Sequence, residues 1–124
     1  MRNSFVLFLL CCLFTCCIKE ETDNRDTGFI VAAGNPAPDF LIHYRDGTTQ
    51  SLKSFRGKVV LIQFAASWCN VCQEIMPVLE RDFNLKYKAY SDFVLFAVCK
   101  GQTAAEVQQF AEESGVTYPL TLDE

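Results

Sequence analysis

Histidine is all but absent from this chain: His43 stands alone among 124 residues. Cysteine is also scarce once the first stretch is passed, where only Cys69, Cys72 and Cys99 occur. A structural zinc site takes about four ligands, so Cys69 and Cys72 would need Cys99 and His43 to complete one. Cys99 ends an apolar run and His43 sits in a polar-flanked N-terminal segment, contexts that argue against a shared ion. Neither a metal nor another cofactor is expected. No basic patch with interleaved aromatics is present, and the net charge of −4 is spread in alternating signs, so nucleic acid is not an expected partner. There is no internal repeat and no low-complexity stretch. The longest apolar run, Phe5–Ile18, is shorter than the roughly 20 residues that span a bilayer as a helix.

That run follows Met1-Arg2-Asn3 and reads as the apolar region of a secretory signal peptide. It ends in Leu13-Phe14-Thr15-Cys16-Cys17, which resembles a bacterial lipobox. Cys16 and Cys17 are therefore both candidates for lipidation, Cys16 with a leucine three residues before it and Cys17 with two small residues before it. Cys11 and Cys12 read as small apolar residues of the leader. Residues 18–34 form a polar tether, beginning with the charged run Lys19–Asp26, which has no apolar periodicity. The expected organisation is a leader over 1–17, a tether over 18–34 and one domain over 35–124. Such a chain is placed in a bacterial cell envelope, lipid-anchored and facing the periplasm or the outer membrane. Disulfides persist in that compartment.

Within the domain, Phe40–Tyr44 and Thr49–Leu52 read as extended segments joined by a turn at Asp46-Gly47. Val59–Phe64 and Phe93–Val98 are continuous apolar runs, as for strands buried on both faces of a sheet. A helix is predicted over Asn70–Ala89, kinked at Pro77, with Ile75, Leu79, Phe83 and Tyr87 along one face. Thr103-Ala104-Ala105-Glu106 has the form of a capping box, opening a helix with Val107, Phe110 and Ala111 inward and Gly115 at its end. Tyr118–Leu122 is a last short strand. Two all-apolar strands joined through a helix require a parallel pair and a right-handed crossover, hence an α/β fold.

Trp68-Cys69-Asn70-Val71-Cys72 falls where the first buried strand gives way to the helix. Two cysteines at this spacing can close a small disulfide ring and reopen it. Cys69 lies at the helix start, where unpaired N–H groups and the positive end of the helix dipole favour a thiolate. A thiolate is the form that attacks another disulfide. Cys72, three residues further on, is within reach for a disulfide and is expected to be less accessible. A CxxC pair that never cycles stays open on these residues alone.

The flanks resemble a known family. Gly57–Cys69, then Cys72 with Met76-Pro77, are similar to the thioredoxin superfamily, and Ala37-Pro38-Asp39-Phe40, Asp46-Gly47, Leu52 and Phe55 narrow the likeness to the TlpA/ResA-type extracytoplasmic proteins. The likeness runs from Asn35 to Glu124. It implies a thioredoxin-like fold of central parallel strands with crossover helices. It also implies thiol–disulfide exchange with protein partners and a redox donor, with Cys69 attacking and Cys72 resolving. Trp68 would shield the pair or fill the loop edge, and Asn70 and Val71 would tune its potential. Gln63 departs from the buried acid of cytoplasmic thioredoxins. Glu74 and Glu80 are conceivable substitutes but read more simply as solvated carboxylates. Cys99 reads as a buried small apolar residue and His43 as a strand surface residue.

The last residues resemble the segment that precedes the family's cis-proline loop. The cis-proline, the closing hairpin and the final helix are then expected to be missing, unless Pro119 is itself that proline. Two other functions stay open: a non-catalytic or incomplete thioredoxin-fold fragment and, third, a peroxidase, although Ser67-Trp68-Cys69 does not reproduce the peroxidase loop.

Overall fold

In the computed structural model, residues 31–123 are described. The leader, the lipidation candidates Cys16 and Cys17, and most of the tether lie outside them. The chain from Ala37 onward forms one compact unit. Its strands are β1 (Leu41–His43), β2 (Thr49–Ser51), β3 (Val59–Ala65), β4 (Phe93–Cys99) and β5 (Leu120–Leu122). They make one mixed sheet in the order β2-β1-β5-β4-β3. The helices are α1 (Asn70–Leu79), extended by a π turn (Glu80–Asn84) and a final turn (Leu85–Tyr87), and α2 (Ala104–Ser114).

The β1–β2 hairpin closes where Gly47 adopts a φ of 83° and the Asp46 carboxylate accepts from the Thr48 N–H at 2.9 Å. From there β3, β4 and β5 run parallel, each crossing over through a helix. Successive steps in one direction across a sheet, taken with the right-handed sense, place both helices on the same face. The packing agrees. Alternation in β4 sends Leu95, Ala97 and Cys99 toward Met76 of α1 and Val107 and Phe110 of α2. Phe96 and Val98 point to the opposite face, against Ile42 and Phe55. Phe55 belongs to a short 3-10 turn over Leu52–Phe55, where the sequence was expected to remain a strand only at Leu52. The thioredoxin-like α/β architecture is therefore present.

Two expectations are corrected. β3 is not buried on both faces: only Gln63 and Ala65 of its seven residues are buried. Among the described residues it pairs with β4 alone, so it forms an edge and leaves Val59 and Phe64 exposed, whereas β4, with a neighbour on each side, is buried along most of its length. The helix face was also misplaced. Of the expected face, Leu79 packs against the core, whereas Ile75, Phe83 and Tyr87 are exposed, and the buried positions are Met76 and Asn84. Steps of four residues advance a helix by about 40° beyond a full turn, so the four-residue series drifts off the face that meets the sheet. Phe83, Tyr87 and Tyr90 instead line an apolar groove with Val59, Leu61 and Phe93, of about 550 Å³.

Pro77 does not end the helix. Lacking an N–H, it loosens the turn before the π segment, where Leu85 N–H donates to the Glu80 carbonyl in the wider i+5 pattern. The capping box of α2 forms as expected, and Gly115 closes that helix at a φ of 66°. Every peptide bond among the described residues is trans, the one before Pro119 included, so Pro119 is not a cis-proline. Its carbonyl accepts from Ala97 N–H at 2.9 Å and so begins the β4–β5 ladder.

Candidate active site

The loop Ala66–Trp68 carries the chain from the carboxyl end of β3 to the start of α1, and it is fixed from three sides. Gln102 accepts from the Ser67 N–H at 3.0 Å and donates to the Ser67 hydroxyl at 2.8 Å. Gln73, one turn into α1, donates to the Ser67 carbonyl. Cys69 N–H donates to the Ala66 carbonyl at 3.0 Å. The sequence reading assigned none of this to Gln73 or Gln102. A glutamine on an exposed turn has no spacing signal, and the Gln102–Ser67 contact spans 35 residues.

Cys69 is the N-cap of α1 and is disulfide-bonded to Cys72, with Cα atoms 5.2 Å apart. The Cys72 backbone N–H points at Cys69 Sγ from 3.3 Å, and no acidic side chain occupies the first turn of α1. Once the disulfide opens, this amide and the helix dipole both stabilise negative charge on Cys69 Sγ. That makes Cys69 a good nucleophile and a good leaving group. Cys72 Sγ lies 3.7 Å from the carbonyl oxygen of Phe64, to which its thiol can donate in the reduced form. Both cysteines are half-buried, so the expected lower accessibility of Cys72 is not seen, and the two sulfurs differ in their position on the helix.

Trp68 does not fill the loop edge: it is 73% exposed, and Val71 is 74% exposed. With Ile75, one turn further along α1 and also exposed, they put apolar surface on the helix segment that carries the disulfide, whereas Phe64 faces the other side of the sheet with Val98. Asn70 is exposed in the first position of α1.

Beneath the pair, Gln63 projects from β3 on the helix side. Its Nε2 donates to the Cys72 carbonyl at 3.4 Å, and its Oε1 accepts from the Tyr118 hydroxyl at 2.8 Å. Burial, helped by the nearby Glu80 carboxylate, pushes the Tyr118 phenol above its usual range, so it stays protonated and donates. Glu74 is exposed, as expected. Glu80 is not a solvated helix-face carboxylate. It accepts from the Thr117 hydroxyl at 2.7 Å, the Thr117 N–H at 3.0 Å and the Asn84 amide at 3.0 Å. Burial raises its carboxyl, but these donors together hold it below its ordinary value. Glu80 therefore joins α1 to the chain before β5 and does not reach the thiols directly.

Cys99 is fully buried in β4, and burial pushes its thiol up to about 11. It stays a neutral thiol near neutral pH, which fits the small-apolar reading. His43 is half-buried in β1, opposite Leu122 of β5.

Residues 32–124 match the Redoxin family. The chain is similar to the thiol-disulfide oxidoreductase ResA of Geobacillus thermodenitrificans, with 32% identity over 124 residues, covering 99% of this chain and 68% of that protein. It is 34% identical over 111 residues to the thioredoxin-like protein YneN of Bacillus subtilis, covering 86% of this chain and 61% of that one. A solution structure described as a candidate protein disulfide isomerase from Bacteroides thetaiotaomicron superimposes with a TM-score of 0.72 and 49% identity, over 76% of this chain and 59% of that chain. The chain thus spans about three-fifths to two-thirds of the length of these relatives. A matched family segment that contains both cysteines, with the disulfide at the start of α1, gives one assignment: the chain belongs to the redoxin family, in its ResA/TlpA-like thiol–disulfide oxidoreductase branch.

Proposed function

We propose that this protein exchanges disulfides with protein partners through Cys69 and Cys72, from a membrane-anchored position outside the cytoplasm. The observation that carries the reading is the Cys72 N–H aimed at Cys69 Sγ from 3.3 Å at the N-terminus of α1. Cys69 thiolate attacks a partner disulfide and forms a mixed disulfide, releasing one partner thiolate. Cys72 then loses its proton to water and attacks Cys69 Sγ, closing the Cys69–Cys72 disulfide and releasing the second partner thiol. The partner gains two electrons and the chain loses two, and a separate redox donor restores the dithiol. The exposed apolar residues Trp68, Val71 and Ile75 suit unfolded or extended protein segments, which bring apolar side chains of their own.

Anchoring rests on Cys16 and Cys17 at the end of the apolar leader, followed by the charged tether. Intact mass measurement on the membrane fraction tests it, with a diacylglyceryl group expected on one of the two and loss of membrane association when both are serine. The exchange itself is tested with insulin as a disulfide-bearing partner. The reduced Cys72→Ser chain should accumulate a mixed disulfide at Cys69, the Cys69→Ser chain should form none, and equal trapping by both overturns the assignment. A non-catalytic, partner-binding module is the second reading, favoured by the open edge of β3 with Val59 and Phe64 exposed. It predicts insulin binding unchanged by either substitution.

A further inference from the structure

A side-chain amide has two chemically different ends in nearly the same volume, and what surrounds it decides which end points where. Gln63 is buried between β3 and α1, and Tyr118 is buried beside it. The Tyr118 hydroxyl proton goes to Gln63 Oε1 at 2.8 Å. That bond turns the Nε2 end toward the Cys72 carbonyl, 3.4 Å away. With the amide reversed, an oxygen would face the carbonyl oxygen and repel it. Cys72 is therefore tied through its backbone to Gln63 of β3, and in the dithiol its sulfur can donate to the carbonyl of the next residue, Phe64.

The tie matters because α1 is weakened next door. Pro77 has no N–H to give the Gln73 carbonyl, so the first turn of the helix is held less firmly by its own ladder. We propose that Tyr118 is a positioning residue for the resolving step: by fixing the orientation of the Gln63 amide, it holds Cys72 where its sulfur can reach a mixed disulfide on Cys69. This deepens the exchange function proposed above and rests on it. The Tyr118 hydroxyl donates to Gln63 and not to Cys69, so attack by Cys69 does not depend on it.

The two steps separate with a nitrobenzoate disulfide reagent, which releases a coloured thiolate at each. Reduced full-length chain attacks it through the Cys69 thiolate, forming a Cys69–nitrobenzoate mixed disulfide and releasing one thiolate. Cys72 gives its proton to water and attacks Cys69 Sγ, forming the protein disulfide and releasing the second thiolate. The reagent is reduced by two electrons and the dithiol is oxidised by two. Peptide mapping assigns each release to Cys69 or Cys72.

In Tyr118→Phe the first release should keep its wild-type rate and the second should slow about tenfold, the order expected when a reacting group is slightly misplaced. The Gln63→Leu/Tyr118→Phe double variant separates positioning from stability. It removes the two buried polar side chains together, so neither is left facing an apolar replacement, and it should fold well and still resolve slowly. Slow resolution in the double variant supports the proposal where Tyr118→Phe alone folds poorly, and wild-type resolution by a folded Tyr118→Phe chain overturns it. Wild-type resolution in the double variant overturns it, whatever the single variant does. A wild-type chain that releases one thiolate and never closes the Cys69–Cys72 disulfide overturns the exchange function itself.

Discussion

The sharpest contrast in the molecule is between two thiols, Cys69 and Cys99, and it can be read by alkylation of the reduced chain. Cys99 is fully buried, with its thiol pushed up to about 11. At about pH 7.5 only about 3 in 10,000 such thiols are ionised, against about 1 in 10 for a thiol at the ordinary value of about 8.5. Ionisation alone therefore favours Cys69 about 300-fold, before the helix dipole and the Cys72 amide add to its advantage. Access acts by a separate route, because the reagent reaches Cys99 only when the sheet opens, and in the opened sheet its thiol ionises like any other. A local opening of about 3 kcal/mol then sets a factor of about 100 by itself. A brief iodoacetamide pulse, followed by peptide mapping, should show Cys69 labelled at least about 100-fold faster by either route.

The same group sets an alkaline limit. Its pKa in the folded chain lies above the unfolded value of about 9, so its contribution is intact below that value and is lost as pH rises through the folded value of about 11. The loss across that window is about 3 kcal/mol, and Cys99→Ala should remove this part of the pH dependence in urea titrations. Rates for Cys69 and Cys99 within tenfold of each other at neutral pH would refute the reasoning at its base.

Three further outcomes follow from the polar contacts. Glu80→Gln should cost about 1–3 kcal/mol in urea denaturation at neutral pH, because the charged acceptor for Thr117 and Asn84 is lost. Since the Glu80 carboxyl is held below its ordinary value, that stabilisation is present above the unfolded value of 4.5 and fades as pH falls through the folded one, so wild type and variant should converge in acid. Gln102→Ala should slow attack by Cys69 about threefold to tenfold in the nitrobenzoate assay, through loss of the two bonds that fix Ser67. Thr103→Ala, which removes the α2 capping box and leaves the Gln102–Ser67 bonds in place, should lower stability by about 1 kcal/mol with both release rates unchanged.

What could be read from the sequence follows from how local the cause is. The CxxC at a strand-to-helix junction, the capping box at Thr103 and the turn at Asp46-Gly47 are each set within a few residues, and each is found where it was expected. The burial of β3 was misjudged because an apolar run does not say how many neighbours its strand has, and β3 has one. The buried face of α1 was misjudged because a four-residue spacing looks helical while drifting around the helix, and the π turn after Leu79 lies beyond any simple period. Gln63 was visible as an anomaly, a polar residue between Leu61 and Ala65 on the core face. Its partner Tyr118 was not visible, because the bond between them spans 55 residues.

The segment before β5 explains why such distant residues matter to a local motif. Thr117 reaches Glu80 and Asn84 at the far end of the helix, and Tyr118 reaches Gln63 under its start. Two adjacent residues thus hold α1 at both ends, one through a carboxylate and one through an amide on β3. The segment is itself fixed by the β4–β5 ladder that begins at Pro119. The geometry of Cys69 and Cys72 is therefore a product of strand pairing as well as of helix capping. A helix peptide carrying the same CxxC would keep the capping amide and lose the placement of its second thiol.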